Sequence, residues 1–501
     1  MNERPLWLAL AVCILVRIVL EVRYGLGFDV DVKLWQLVDV ELLRDDPLRS
    51  LFLMHAQPPL FNALYALSLR LPEGLGVPFL HLVFQATSIV SVALIYLLLR
   101  RARVGPVGAA IAAGLFGILP QTLIFESVFN YAPFEVMFLL GGMLLAARYL
   151  EEGGVARFAG LCACLVILAF MRSLFHIGWI AVALLAVWSL RSWRHGRDSR
   201  ALAVLVVSLA LVSSIYFKNL KLYGAFAAST WEGIALTQLA APILPGDPVK
   251  FPQVLSDIRQ RIDRGEFSPA LKGAITDLWY GWVEAAKDCP QMDEKRAVLC
   301  ARVRASGEPN MNHLAVIEYS HQLGGDARRL LQLYPQVYLN HVAASVMTFL
   351  GTPSWHYRGF DNLLPRYCDF WNDVLLYHPN RGLRGMQAPG QIWGSVVNRL
   401  TGSSVPLILL VVTGIVLVLW RGAADLVAYG RGRRPTADWI FPTFVVLLYA
   451  TIPNLTNGVE TQRIRYSIEP ILYIALIAGG LALARRFAPS NGRSPWPRRP
   501  Q

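Results

Sequence analysis

Carboxylates, a histidine and arginines stand at intervals along a chain that is otherwise greasy. Asp29 and Asp31 follow the first long apolar run, ahead of an acidic stretch, Asp39–Asp46, and of His55-Ala-Gln57-Pro58-Pro59-Leu60. Further on come Glu126 and Asn130 within Phe125–Tyr131, a lone Arg172 between apolar runs, and Glu460-Thr-Gln-Arg463-Ile-Arg465-Tyr466 before the last apolar run. A carboxylate can take the proton of an attacking hydroxyl, and an arginine fork can hold two oxygens of a phosphate. Plain readings stand beside these. Asp29 and Asp31 can end one helix and cap the next, His55 can be a turn histidine, and Glu126 with Asn130 can cap a loop. Arg172 fits a tight turn, Arg463 and Arg465 fit side chains snorkelling to the membrane surface, and the acidic stretch fits the solvated face of an interfacial helix. The case for chemistry is that these residues gather on one face from loops remote in sequence.

The elements that must position them are set by composition. Of 501 residues, 55% are apolar and 16% charged, and the mean hydropathy is +0.43. A soluble domain carries nearer 25% charge, so the chain is expected to be an all-α polytopic membrane protein. Six cysteines in 501 residues exclude a disulfide scaffold, and the hydrophobicity excludes disorder. The net charge of +13 does not point to nucleic acid. Its arginines cluster in short connectors, at 100–103, 191–200, 421–434 and 485–499, as the positive-inside rule produces.

Runs of spanning length cover 5–24, 76–99, 105–125, 128–149, 155–171, 173–190, 201–217, 403–420, 437–454 and 466–484. The first has no small-residue cleavage site behind it and holds Arg17 and Glu21 on one helical face, so it reads as a retained helix. With the N-terminus cytoplasmic and 58–71 and 335–350 taken as interfacial or re-entrant, about ten helices place every basic cluster inside. The N-terminal membrane module is then 1–217, with a first outer loop at 25–75. An outer, helical segment follows at 218–402, C-terminal membrane helices at 403–486 and a disordered cytoplasmic tail at 487–501. Lys218 and Lys221 lie at the seventh helix's outer exit, where they can attract phosphate or simply be solvated. Cys289 and Cys300, eleven apart in the outer segment, are expected to form a disulfide, with Cys368 as the competing partner.

Together these features resemble the GT-C superfamily of integral-membrane glycosyltransferases, in particular the lipid A aminoarabinose transferases and the protein O-mannosyltransferases. The resemblance rests on Asp31-Val-Lys-Leu-Trp35 after the first helix, on His55-Ala-Gln57-Pro58-Pro59-Leu60, and on Glu460-x-x-Arg463-x-Arg465-Tyr466-x-x-x-Pro470 leading into the last helix. It implies a GT-C-like fold and transfer of a sugar from a polyprenyl-phosphate donor to an acceptor hydroxyl on the outer face. The acceptor would be lipid-linked, glycan or protein. The site would face the periplasm from a bacterial inner membrane, with membrane lipids as further partners and nucleic acid as none. Two departures stand out: Asp-Val-Asp replaces the family's Asp-Glu pair, and no Trp-Trp-Asp-type signature of the oligosaccharyltransferases is present.

For such a transfer Asp31 is the first choice of base and Asp29 the second. Arg463 and Arg465 are the phosphate candidates, with Arg172 third. His55, Gln57, Glu126, Asn130 and Glu460 are candidates for orienting substrate or arginines. One base and one phosphate clamp suffice for an inverting displacement, whereas a retaining enzyme needs a second carboxylate at the anomeric carbon. No cofactor is required. A divalent metal can be held by Asp29 or Asp31 with Glu126, without a ligand spacing that demands it. Two other classes remain: a transporter or flippase of lipid-linked sugars, and an O-antigen ligase or polymerase.

Overall fold

The computed structural model describes residues 3–30, 37–244, 247–285, 297–350, 405–431, 438–456 and 461–487. Among them every regular element is an α-helix, and the only extended pairings are two isolated bridges, Asp29 with Val128 and Val303 with Pro309. Five helices are long and apolar enough to cross a membrane: α1 (Arg4–Tyr24), α5 (Gly76–Arg101), α8 (Ala132–Glu152), α11 (Ser199–Tyr223) and α20 (Val405–Gly430), the last through its Ile408–Gly430 portion. Shorter apolar helices are α6 (Pro106–Gly117), α9 (Val155–Met171) and α21 (Ile440–Thr456). Two more, α10 (Ile177–His195) and α23 (Glu469–Phe487), cover the remaining apolar runs.

Local chemistry explains the boundaries. α1 opens on a proline in its first turn and stops at Gly25, whose φ of 62° is the left-handed conformation that ends helices. The run 105–125, expected as one span, is broken into α6 and α7 (Pro120–Glu126). Pro120 has no N–H to donate and turns Leu119 extended, with ψ 141°. α6 alone has 12 residues, about 18 Å of helix. The break leaves Glu126 at the end of a separate short helix. At the end of α6, a Cβ on Gly117 would lie 2.6 Å from Val92 and 2.8 Å from Cys13, so glycine there lets α1, α5 and α6 close together.

The first outer loop folds into α2 (Val40–Asp45), α3 (Pro47–Leu53) and α4 (Leu60–Ser68). At nine residues, roughly 14 Å, α4 is too short to cross. It buries Phe61 and Tyr65 against Phe129 and Phe84. The described residues after α11 are also helical: α12 (Glu232–Ala240), α13 (Asp247–Lys250), α14 (Pro252–Asp263), α15 (Pro269–Thr276), α16 (Trp282–Ala285), α17 (Ala297–Cys300), α18 (Leu314–Leu333) and α19 (Pro335–Leu350). Its core gathers Trp231, Ile234, Leu271, Leu323 and Val337. α12 crosses α18 so closely that a Cβ on Gly233 would collide with the carbonyl of Ser320. α19 then runs back to the membrane helices, where it packs against α22 (Thr461–Tyr466), which leads into α23. Cys13, Cys162 and Cys164 are free thiols, whereas Cys300 is disulfide-bonded. Both outer-segment partners open to it, Cys289 and Cys368, lie outside the described residues.

Candidate functional site

Asp29 is fixed by its backbone. Its N–H donates to the Ser127 carbonyl at 2.9 Å, and the Phe129 N–H donates to the Asp29 carbonyl at 3.0 Å. This bridge pins the first outer loop to the turn between α7 and α8, directly after Glu126. Asn130 builds that turn. Its Nδ2 donates to the carbonyls of Phe125 and Val128, each at 2.9 Å, and its Oδ1 accepts from the Ala132 N–H at 2.9 Å. Asn130 thus caps the loop, spending both amide hydrogens and one lone pair of Oδ1 on the turn. Asp31 and Glu460, and the side chain of Arg463, lie outside the described residues.

Three ion pairs follow, two buried and the third buried on its arginine side. Arg17 of α1 donates to Glu126 Oε2 at 2.6 Å, to the Gly117 carbonyl at 3.2 Å and to the Cys13 carbonyl at 2.8 Å. Arg172, at the end of α9, donates to Glu135 Oε1 at 2.7 Å and lies over the Tyr131 ring at 4.4 Å. Glu135, wholly buried near the start of α8, also accepts from the Tyr449 hydroxyl at 2.8 Å and the Ser467 hydroxyl at 2.5 Å. Arg465 donates from Nε to Glu469 at 3.0 Å and from Nη1 to the Phe349 carbonyl at the end of α19. Desolvating each of these charges costs several kcal/mol, which pairing offsets only when the remaining donors and lone pairs are also satisfied. Here the carbonyls of Cys13, Gly117 and Phe349 and the hydroxyls of Tyr449 and Ser467 take up part of that demand, while Arg17 Nε makes no hydrogen bond among the described residues.

The stretch Arg465–Glu469 interlocks the three pairs. Arg465 and Glu469 form one, the Tyr466 ring stacks on Phe125 at 4.0 Å beside Glu126, and Ser467 reaches Glu135. Residues of α1, α7, α8, α9, α21 and the α22–α23 turn therefore meet in one polar cluster inside an apolar bundle. Of the residues singled out in the sequence, Asp29, Glu126, Asn130, Arg172 and Arg465 are brought to it. Arg172 and Arg465 arrive already engaged by carboxylates, so neither is an open phosphate clamp in this conformation.

His55 is placed differently. It is fully buried, with Nδ1 2.7 Å from the Thr230 hydroxyl and Nε2 2.9 Å from the Asn312 carbonyl. The carbonyl can only accept, so Nε2 carries the proton and Nδ1 accepts from Thr230. Burial holds the imidazole neutral, with its pKa pushed down to about 3. Asn312 Oδ1 takes the N–H groups of both His55 and Ala56 at 3.1 Å, and Ser229 donates to the Ala56 carbonyl at 2.6 Å. Lys218, rather than being solvated, donates to the Met54 carbonyl at 2.5 Å. His55, expected to orient substrate, has both ring nitrogens engaged in this conformation and joins the first loop to the residues that precede α12 and α18. Gln57, next to this joint, is half-buried.

Sequence reading missed Glu135, Tyr449 and Ser467, and gave Arg17 only its neighbour Glu21. A charged residue in a membrane run is a signal in itself, and Arg17 and Glu135 each carried it. Their partners, 109 and 37 positions away, do not follow from local spacing. Among the described residues no three His, Cys, Asp or Glu side chains gather so as to hold a metal ion. Comparison of the chain with protein-family models, with curated proteins and with solved structures finds no match in any of the three.

Proposed function

We propose that this chain is a polytopic membrane glycosyltransferase that moves a sugar from a polyprenyl phosphate to an acceptor hydroxyl. In this reading ten helices cross the membrane, the N-terminus is cytoplasmic, and the site opens to the outer face. The observation that carries the reading is the polar cluster: three arginines with three carboxylates, drawn from remote segments, next to the turn that pins the acidic first loop through Asp29.

The chemistry is an inverting displacement. The acceptor oxygen bonds to the anomeric carbon while its proton passes to Asp31 or Asp29. The bond from that carbon to the phosphate oxygen breaks, and its electron pair leaves with the lipid phosphate. Arginine stabilises the developing charge. Because Arg172 and Arg465 are paired at rest, a phosphate must take over one of them from its carboxylate, and Arg463 is the remaining candidate. Surrounding membrane helices supply the groove for the prenyl chain.

The buried Arg17–Glu126 pair favours a second reading, a transporter or flippase of lipid-linked sugars, because intramembrane ion pairs also mark transport pathways. Purified protein in liposomes, given radiolabelled polyprenyl-phosphate sugars and outer-membrane glycolipid acceptors, separates the two. Label covalently joined to acceptor supports transfer. Label moved across the bilayer but still on its prenyl carrier supports transport and overturns the proposal.

A further inference from the structure

At the arginine-rich end of the bundle, α10 and α20 meet. Gly430 lies against the indole of Trp193, where a Cβ would stand 3.6 Å from the ring, and Arg194 lies 4.9 Å over the ring of Tyr429. Trp193 is nonetheless 73% exposed. Three arginines around this seam, Arg197, Arg200 and Arg431, are exposed and have no ion-pair partner among the described residues.

The acids nearby are committed elsewhere. Asp198 caps α11 by accepting from the N–H groups of Arg200 and Ala201, Glu151 takes Arg101, and Glu152 takes Arg157. Positive charge is left over on the segments that flank this contact, four residues after Trp193 at Arg197 and directly after Gly430 at Arg431, beside a tryptophan that touches protein yet is largely open. Toward the membrane interior, α10 and α20 expose apolar side chains such as Leu185 and Val427. Guanidinium groups suit a phosphate, a tryptophan suits the level where headgroups meet chains, and the apolar flanks suit acyl chains.

We infer that the basic end of the α10–α20 seam binds the headgroup of an anionic phospholipid, held by Arg197 and Arg431 with its chains against Trp193. This site is remote from the polar cluster and stands whether or not the sugar-transfer reading does.

The test uses the full chain in nanodiscs of equimolar phosphatidylcholine and phosphatidylglycerol, with co-purifying lipid counted by mass spectrometry after detergent extraction. The wild type should retain phosphatidylglycerol in preference, and the preference should fall as salt rises, a readout that needs no variant. R197Q/R431Q should lose roughly twenty-five-fold of it, since each basic residue near an anionic surface is worth about a factor of five. The charge-matched R103Q/R485Q, on the same basic side, should keep it. Equal retention of both lipids by the wild type, or equal loss in the two double variants, would overturn the site in favour of diffuse attraction. Displacement of the lipid by glycerol 3-phosphate would overturn it in favour of a soluble phosphate.

Discussion

Among single residues, Glu135 carries the heaviest responsibility, because one carboxylate answers Arg172, Tyr449 and Ser467 at once. Glu135→Leu leaves the Arg172 guanidinium buried without a counter-charge, and unfolding in detergent should show a loss of about 3–5 kcal/mol. Glu135→Leu/Arg172→Met should recover the larger part, since removing both charges also removes the desolvation cost. His55 gives a pH signature. Its folded pKa, about 3, lies below the ordinary 6.5, so between these values the unfolded chain binds more protons. Its stabilisation is complete above pH 6.5 and is lost as pH falls toward 3, with a slope approaching ~1.4 kcal/mol per pH unit. Acid titration of unfolding should show this loss, and His55→Gln should flatten it over the same window.

Helices separate what the sequence made legible from what it did not. α9 and α19 lie where hydropathy puts them, at Val155–Met171 and Pro335–Leu350, the first a continuous apolar run opened by a glycine pair and the second a shorter, interrupted stretch opened by a proline. α6 and α7 were read as one span although Pro120 was in view; length and hydropathy outweighed a proline that tertiary packing uses as a break. The acidic first loop was recognised, but its anchors were not, since Ser127 and Asn312 are ordinary residues until folding brings them to Asp29 and His55. Arg465 stands out in the sequence as an unusual cation with Glu469 four residues on, whereas its bond to the Phe349 carbonyl depends on how α19 packs. Asn312→Ala tests the joint between loop and outer segment. It strands the buried N–H groups of His55 and Ala56, each worth about 1–3 kcal/mol. Hydrogen exchange at residues 54–57 should accelerate while that of α8 stays slow.

At the scale of the whole molecule, the described residues form a bundle of apolar helices that holds a polar cluster, with a further helical segment that grips the first loop. Arg304 donates to the Leu37 carbonyl at 3.0 Å, and the Ala305 N–H donates to Asp39 at 2.6 Å, so the grip extends to the far side of the acidic loop. The proposed orientation is open to direct test. An enzyme reporter active only outside the cytoplasm should work when fused after residue 240 and stay silent after 195 or 430. Activity at 195 would invert the topology and move the acidic loop to the cytoplasm.

Sugar transfer driven by the first-loop carboxylates is the central claim, and one measurement reaches it most directly. Proteoliposomes holding wild-type, Asp29→Asn or Asp31→Asn protein are given radiolabelled polyprenyl-phosphate sugars and acceptor, with donor binding measured alongside. The wild type should transfer the sugar, Asp31→Asn should lose transfer with donor binding retained, and Asp29→Asn should lose less. Loss confined to Asp29→Asn would move the base by two residues. Wild-type rates in both variants, at normal expression, would contradict the account.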